Sequence, residues 1–347
     1  MPMIGSRRAR EQCMEHNEQI LIKSLPDGKL AASDYERVSS PIPEIKEGEV
    51  LVQTEAFAIT AGTRAGLQGS ASYAGAPTTG IVMGGTGVGS VVASRSDGVA
   101  VGQRVLTGTG WQRFSVQKPG ALELIPDGHD AKHYLGPLGV NGLTAYFGLL
   151  SVGEAKAGET VMVSAAAGSV GHLVGQMAKI AGCQVVGVAG SDAKNQRLID
   201  ELGFDTAVNY KAGNYRDALK EASPKGVDVY FDNTGGFVLG SALFRLNVGG
   251  RIACCGVVSQ YDTSAPEPGP KGIPGLLVNK RITMRGFLVF DFADRYAKAR
   301  EEIHGWLDRG ELISLTDEVD GLAAAPDGFV DLLAGGNIGT RIVVLDT

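Results

Sequence analysis

Along the first 135 residues, apolar and polar positions alternate in short runs broken by Gly or Pro. Ile20 to Ile22, Glu49 to Ala56, Thr79 to Met83 and Gly89 to Ser94 read as strands with a buried face, and Val105 and Phe114 to Val116 continue the pattern. This texture predicts a mostly β, barrel-like unit. From about 140 to 310 an apolar run is followed by helical spacing, again and again. Val161 to Ala165 is an apolar strand, and Val170, Leu173, Val174, Met177 and Ile180 then recur at helical spacing. Gln184 to Val188 is the next strand, and Asp192 to Leu202 is a helix stopped by Gly203. Thr206 to Asn209, Val227 to Phe231, Arg251 to Cys255 and Arg285 to Phe290 supply four more strands. Helical segments fall near 215–222, 237–246, 273–281 and 295–309. Six strands alternating with helices predict an α/β fold with a doubly wound parallel six-stranded Rossmann sheet. Residues 311–347 return to short strands ending in Thr340 to Leu345. The expected domains are therefore 1–135 with 311–347, and 136–310, with the site in the cleft between them.

Glycine is in excess, 50 of 347 residues, beside 14 prolines and 44% hydrophobic residues. That mixture is neither collagen nor linker and points to tight turns within a folded core. The balance of 32 basic and 38 acidic residues gives −6, which argues against nucleic acid or an anionic membrane as partner. No apolar run reaches 18 residues, and no apolar stretch follows Arg7, Arg8 and Arg10, so neither a membrane span nor a signal peptide is expected. Cys13, Cys183, Cys254 and Cys255 fit no disulfide framework, which suits a reducing cytoplasm. They form no Cys-x-x-Cys pair, and the histidines at 16, 129, 133, 172 and 304 do not join them at ligand spacing. His129 and His133, bracketed by glycine and proline, read as a solvated turn. No metal site is expected.

The first apolar strand of the second region runs through Ala165-Ala166-Ala167-Gly168-Ser169-Val170-Gly171 into a helix. Exposed amides and the positive end of the helix dipole suit a pyrophosphate there. Gly168 lets phosphates approach, and Gly171 lets helix and strand pack closely. A second glycine run, Gly85-Thr86-Gly87-Val88-Gly89, opens no helix and belongs with the β unit. The strand after the first helix ends Val188-Ala189-Gly190-Ser191, without the acid that would hold a ribose 2′-hydroxyl. Gly190 leaves room, Ser191 can donate to a phosphate, Asp192 reads as a helix N-cap, and Lys194 can pair with a 2′-phosphate. The expected cofactor is NADP(H).

In the same order the chain carries Gly142-Leu143-Thr144-Ala145-Tyr146-Phe147-Gly148-Leu149-Leu150, then Ala165 to Gly171 and Gly190-Ser191-Asp192-Ala193-Lys194. Asn209-Tyr210-Lys211, Phe231-Asp232-Asn233-Thr234-Gly235-Gly236 and Cys255-Gly256-Val257-Val258-Ser259-Gln260-Tyr261 follow. Together these resemble the zinc-free medium-chain dehydrogenase/reductases, in the prostaglandin reductase and alkenal double-bond reductase (curcumin reductase-like) branch. The resemblance implies a GroES-like barrel beside the Rossmann domain, a homodimer, and NADPH-dependent reduction of the C=C bond of α,β-unsaturated ketones and aldehydes. It places Gly168, Ser169, Val170 and Gly171 under the pyrophosphate and Lys194 and Tyr210 at the 2′-phosphate. Asn233 would contact the dinucleotide. Cys255, Gly256, Val257 and Ser259 would line the nicotinamide side, Phe287, Leu288 and Val289 its far edge, and Asn337 would close over the cofactor. Two departures stand near the substrate. Thr60-Ala61-Gly62-Thr63-Arg64 keeps only the arginine of the family's Asp-Pro-Tyr-Met-Arg, and Asn141 replaces a proline. Arg64 and Asn141 are therefore substrate-side candidates.

Reduction of an enone needs a donor for the oxygen on which an enolate forms. Tyr261, ending the loop after the fifth strand, is the candidate catalytic and substrate-binding residue, since a phenol stays protonated at neutral pH. Cys254 and Cys255 lie on an apolar strand and read as small hydrophobes. Residues 262–275, with Pro266, Pro268, Pro270 and Pro274, read as a rim over the substrate, and Arg300, Glu301 and Arg309 as a solvated helix face. Two alternatives remain: a zinc-independent quinone reductase, and an NADPH-binding structural or interaction protein without significant turnover.

Overall fold

A computed structural model of the chain describes residues 16–69, 75–266 and 268–346; Arg7, Arg8, Arg10 and Cys13 lie outside them. Contacts divide the chain into two units. One is 1–135 with 318–334 and 341–347, and the other is 136–317 with 335–340.

In the first unit β1 (His16–Ile22) and β2 (Tyr35–Pro41) form an antiparallel ribbon. The long β3 (Val50–Ile59) leads into the short helix α1 (Gly62–Leu67), and β4 (Gly87–Ser94), β5 (Arg104–Thr107), β6 (Phe114–Gln117) and β7 (Glu123–Leu124) follow. β3 pairs antiparallel with both β4 and β6. The upstream glycine run lies at the start of β4, as its lack of a helix implies. A Cβ at Gly89 would stand 2.2 Å from Gln53 O, so glycine there serves close strand approach. Trp111 is the core of the unit. It is 1% exposed and stacks on Tyr35 at 5.5 Å and on Phe57 at 5.6 Å. The strand expected over Thr79 to Met83 is absent. Gly80 sits at φ +74, which breaks extended backbone, and only Val82 makes an isolated bridge, to Leu21. β2 escapes the apolar pattern because only Tyr35 of its seven residues is buried.

The second unit opens with α2 (Val140–Phe147). Then β8 (Thr160–Ser164), α3 (Gly171–Ile180), β9 (Gln184–Ala189), α4 (Asp192–Leu202), β10 (Thr206–Asn209) and α5 (Tyr215–Ala222) alternate. They continue as β11 (Val227–Asp232), α6 (Gly236–Arg245), β12 (Leu246–Cys254), α7 (Ile273–Lys280), β13 (Thr283–Gly286) and α8 (Tyr296–Asp308). The six strands are parallel in the order β10-β9-β8-β11-β12-β13. All five residues of β8 are buried, as a central strand covered on both faces requires. Gly203 at φ +68 ends α4 by donating its N–H to Leu198 O. The cap at the other end is Ser191 rather than Asp192. Ser191 is extended and its Oγ accepts from Lys194 N–H at 3.3 Å, while Asp192 begins the helix and accepts from Asn209 Nδ2 at 2.9 Å.

Two further expectations change. The strand expected over Arg285 to Phe290 stops at Gly286, because the Asp291 carboxylate accepts from Leu288 N–H and turns Val289–Arg295 into a 3-10 helix. Arg300 is not simply solvated: its Nε donates to Leu138 O at 2.8 Å and its guanidinium lies 5.7 Å from the Tyr296 ring centroid. The tail carries β14 (Thr316–Asp320), α9 (Ala325–Leu333) and β15 (Thr340–Val344). β15 pairs antiparallel with β3 and completes the sheet order β14-β15-β3-β4-β5-β7. Residues 335–340 stay with the second unit, where Gly339 N–H donates to Ala167 O at 2.8 Å.

Candidate functional site

Strand order reverses between β8 and β11, and in a doubly wound sheet ligands bind outside the carboxyl ends of the strands at such a point. The chain leaving β8 turns at Ala165, which takes φ +46. Gly168 N–H donates to Ala165 O at 2.9 Å, and Leu173 and Val174 N–H donate to Val170 O. The amides of Val170 and Gly171 have no backbone acceptor among the described residues, whereas the parallel bridge between Gly168 and Gly339 sets the Ser169 amide against Gly339 O. The Val170 and Gly171 amides are the orphan donors of a helix start, and they fit a pyrophosphate. Gly171 is required by contact: a Cβ there would stand 2.3 Å from Ala165 O and 2.8 Å from Ala166 Cα. Gly168 is less crowded, with Ala165 O at 3.2 Å.

At the end of β9, a Cβ on Gly190 would lie 3.2 Å from Tyr210 Cε1 and 3.3 Å from Lys211 Cε. A side chain at 190 would pack tightly against both, and with glycine there the corner holds a tyrosine and a lysine and no carboxylate. The Ser191 hydroxyl oxygen caps α4, which leaves its O–H able to donate. Tyr210 is 37% exposed, and Lys211 Nζ lies 5.8 Å from its ring centroid. Lys194 is held in place: its Nζ donates to Gly335 O at 2.6 Å and to Asn337 O at 2.7 Å. Asn337 is buried, and its own amide donates to Gly339 O at 2.9 Å. The 335–340 segment is thereby tied to both α4 and the turn after β8, and Ser169 Oγ adds a contact to Gly339 O at 3.4 Å.

Asn233, Cys255, Gly256, Val257 and Ser259 gather at the ends of β11 and β12. Asp232 is 2% exposed, and its Oδ1 accepts from Gly235 N–H at 2.8 Å, Thr234 N–H at 3.0 Å and the Tyr230 hydroxyl at 2.8 Å. Cys255 N–H and Gly256 N–H donate to Asp232 O, and Val258 N–H to Asn233 O. Asn233 Nδ2 donates to Ser164 O at 2.7 Å, joining this cluster to the end of β8. Ser259 Oγ donates to Thr234 O at 2.5 Å. Burial, with Asp232 adding to it, pushes the Cys254 thiol up to about 11 and the Cys255 thiol up to about 12. Neither is a thiolate at neutral pH, so neither is an activated nucleophile. Tyr261 follows at the end of the same loop, its N–H on Val258 O at 3.1 Å.

Other candidates fall elsewhere. Phe287 turns its ring inward against Phe231, where a Cβ on Gly148 would meet it at 2.4 Å; Val289 is buried and Leu288 exposed. Asn141 is buried on the first turn of α2. Arg64 belongs to the first unit, is 1% exposed, and donates to Gly28 O at 2.5 Å. Its guanidinium anchors α1 to the 28 loop. Lys211, Asp232 and His172 are site-forming residues that the sequence reading passed over. For His172, with Gln176 one turn later, the available signal was two polar residues set on the apolar stripe of a buried helix.

Among the described residues, no group of three or more His, Cys, Asp or Glu could hold a metal ion, and no helix is long and apolar enough to cross a membrane. A zinc-binding dehydrogenase family model matches residues 169–305, and a model for the N-terminal domain of oxidoreductase matches 18–125. The NADPH-dependent curcumin reductase of Escherichia coli (strain K12) is 34% identical over 96% of this chain and 98% of its own length. Prostaglandin reductase 1 of Bos taurus is 38% identical over 95% of this chain and 99% of its own. The structure of CurA from Vibrio vulnificus in complex with NADPH superposes with a TM-score of 0.91 at 35% identity, covering 95% of this chain and 99% of that one. A match along nearly the whole length, with the glycine turn and the β8/β11 crevice in place, assigns the chain to a family: it belongs to the zinc-free prostaglandin reductase and curcumin reductase branch of the medium-chain dehydrogenase/reductases.

Proposed function

We propose that the chain reduces the C=C bond of α,β-unsaturated ketones and aldehydes with NADPH. The observation that supports the NADPH part of this reading is the Gly190 corner, where no acid stands and a Cβ would lie 3.2 Å from Tyr210 Cε1 and 3.3 Å from Lys211 Cε. Bound NADPH supplies a hydride for the β carbon. The Val170 and Gly171 amides would hold the pyrophosphate, beside Ser169; Ser191, Lys194 and Tyr210 would hold the 2′-phosphate; Asn337 braces the segment Lys194 grips. Asn233 and the 255–259 loop orient the nicotinamide end. Tyr261 donates a hydrogen bond from its hydroxyl to the substrate carbonyl oxygen, where negative charge grows as the double bond is reduced. Asn141 is the substrate-side candidate on α2, Arg64 is held within its own unit by Gly28 O, and Leu288 is the exposed member of the 287–289 stretch.

The deciding experiment follows NADPH oxidation over a panel of enals, enones and quinones, with wild type and Tyr261→Phe. Enone turnover is expected in the wild type, and in Tyr261→Phe a kcat lower by about 10- to 100-fold with little change in NADPH KM, the range of one lost donor to a developing oxyanion. Turnover of quinones alone would identify a quinone reductase, and tight NADPH binding without any turnover a binding protein.

The assembly proposed is a cytoplasmic homodimer. All four residues of the edge strand β13 are exposed, and Val278 (74% exposed) and Phe290 (59%) stand beside it in sequence. An exposed edge strand is the kind of surface a second copy covers by continuing the sheet. Light scattering is expected to return twice the chain mass; a monomer at micromolar concentration removes the dimer.

A further inference from the structure

A cavity of about 260 Å³ opens along α6 and has no part in the reading above. Its floor is one face of that helix. Phe237, Gly240 and Phe244 recur at i, i+3 and i+7, which brings them to one side, and Leu243 beside them is fully buried. Gly240 puts no side chain between the two rings, so a gap stays open there. The proline stretch closes over it: a Cβ on Gly240 would stand 3.4 Å from Pro270 Cβ, and Leu276 of α7 lines the same space. Phe237 is 47% exposed and Phe244 68%. Two cations also line the cavity, Arg216 of α5 and Lys271. The Arg216 guanidinium carbon lies 5.4 Å from the Phe237 ring centroid. Among the described residues neither cation makes an ion pair, and no acidic residue lines the cavity. In a chain of net charge −6, two cations without acidic partners on an apolar cavity are a local reversal of sign.

We propose that this cavity binds a small organic anion, an apolar ring or short chain that carries one anionic head. The apolar part lies over Gly240, between the Phe237 and Phe244 rings and against Leu243 and Leu276. The head meets Arg216 and Lys271. Each half has a physical reason. Covering two exposed phenyl rings removes apolar surface from water, which is the main driving force for such a ligand. The two cations bind the head by charge-assisted hydrogen bonds. The contact with the Phe237 ring holds the guanidinium beside the cavity before any ligand arrives, which limits the entropy lost on binding. A neutral amphiphile forgoes the cations, and a cationic one is repelled by them, so the site selects for charge as well as shape. Ligand cavities usually span roughly 300–1,000 Å³, and this one lies just below that range, which restricts the apolar part to one ring or a short chain. None of these side chains has a role in the reduction proposed above, so the inference stands apart from it.

The test titrates the intact chain with anilinonaphthalene sulfonate, a fluorescent aromatic anion, with and without excess NADP+, and then displaces the probe with octanoate or octanol. The expected result is one saturable site that NADP+ leaves unchanged, with octanoate displacing the probe at a concentration about 10-fold lower than octanol does. Combining Arg216→Gln with Lys271→Gln removes the charge and leaves the floor intact. Gly240→Leu fills the gap and keeps both cations. Each is expected to raise the probe Kd about 10-fold, the size of one lost charge-assisted partner or of one buried apolar group. If Gly240→Leu does not fold, as a melting curve would show, Phe244→Ser at the exposed ring takes its place with the same expectation. The proposal is overturned by the lack of a saturable site, by displacement of the probe by NADP+, by octanol acting as well as octanoate, or by wild-type probe affinity in either variant. A probe signal that appears only on dilution also overturns it, because a second copy of the chain then covers the cavity.

Discussion

Gly171→Ala is expected to raise the NADPH Kd about 100-fold and to lower the thermal midpoint by about 3 to 10 °C. The added methyl would meet Ala165 O at 2.3 Å and Ala166 Cα at 2.8 Å, and both are backbone atoms that cannot rotate aside. Relief requires α3 to move away from β8, an overpacking strain of about 1–3 kcal/mol, which in a domain of this size corresponds to the stated fall in midpoint. The same displacement would carry the Val170 and Gly171 amides off the phosphates. Losing one to two charge-assisted hydrogen bonds, each about 1.5–3 kcal/mol, accounts for the affinity change. Gly168→Ala is the internal comparison. Its methyl would meet only Ala165 O, at 3.2 Å, so its stability cost is smaller. Fluorescence titration of NADPH and a melting curve check both; a Gly171→Ala variant that binds NADPH as wild type does would remove the turn from the site.

Lys194→Met is expected to weaken NADPH about 10- to 100-fold while leaving NADH nearly unchanged. The ammonium is the cation at the N-terminus of α4, and its loss removes a charge-assisted partner of the 2′-phosphate. Methionine keeps the length of the stem, so packing is preserved. The ammonium also holds the carbonyls of Gly335 and Asn337, which places the cation before any ligand arrives and limits the entropy lost on binding. Lys194→Arg keeps the charge but not the compact geometry that reaches two carbonyls, so it is expected to recover only part of the preference. Parallel loss of NADPH and NADH affinity would mean that Lys194 acts only as a tie for the 335–340 segment.

The parts of the fold that were legible in advance are those with local signals. Asp192–Leu202 and Thr206–Asn209 match residue for residue because a left-handed Gly203 and a short β-branched run each act within a few residues, although the cap expected at Asp192 is Ser191. The six parallel strands and the glycine turn were visible for the same reason. Thr79 to Met83 misled because apolar alternation survives a glycine at φ +74, whereas a strand does not. Arg285 to Phe290 misled because one carboxylate, Asp291, turned the chain.

The sequence by itself determined the order of elements, the dinucleotide turn at 165–171 and the absence of an acid at Gly190, since each is written in adjacent residues and their backbone preferences. Only the tertiary structure decided what the polar side chains are bonded to. Lys194 grips the carbonyl of Asn337, 143 residues away, His172 is set by Leu315, Arg64 is turned into its own unit, and Asn233 is tied to Ser164. Buried polar groups must find partners, and which partner comes within reach is fixed by how the chain packs, not by spacing along it.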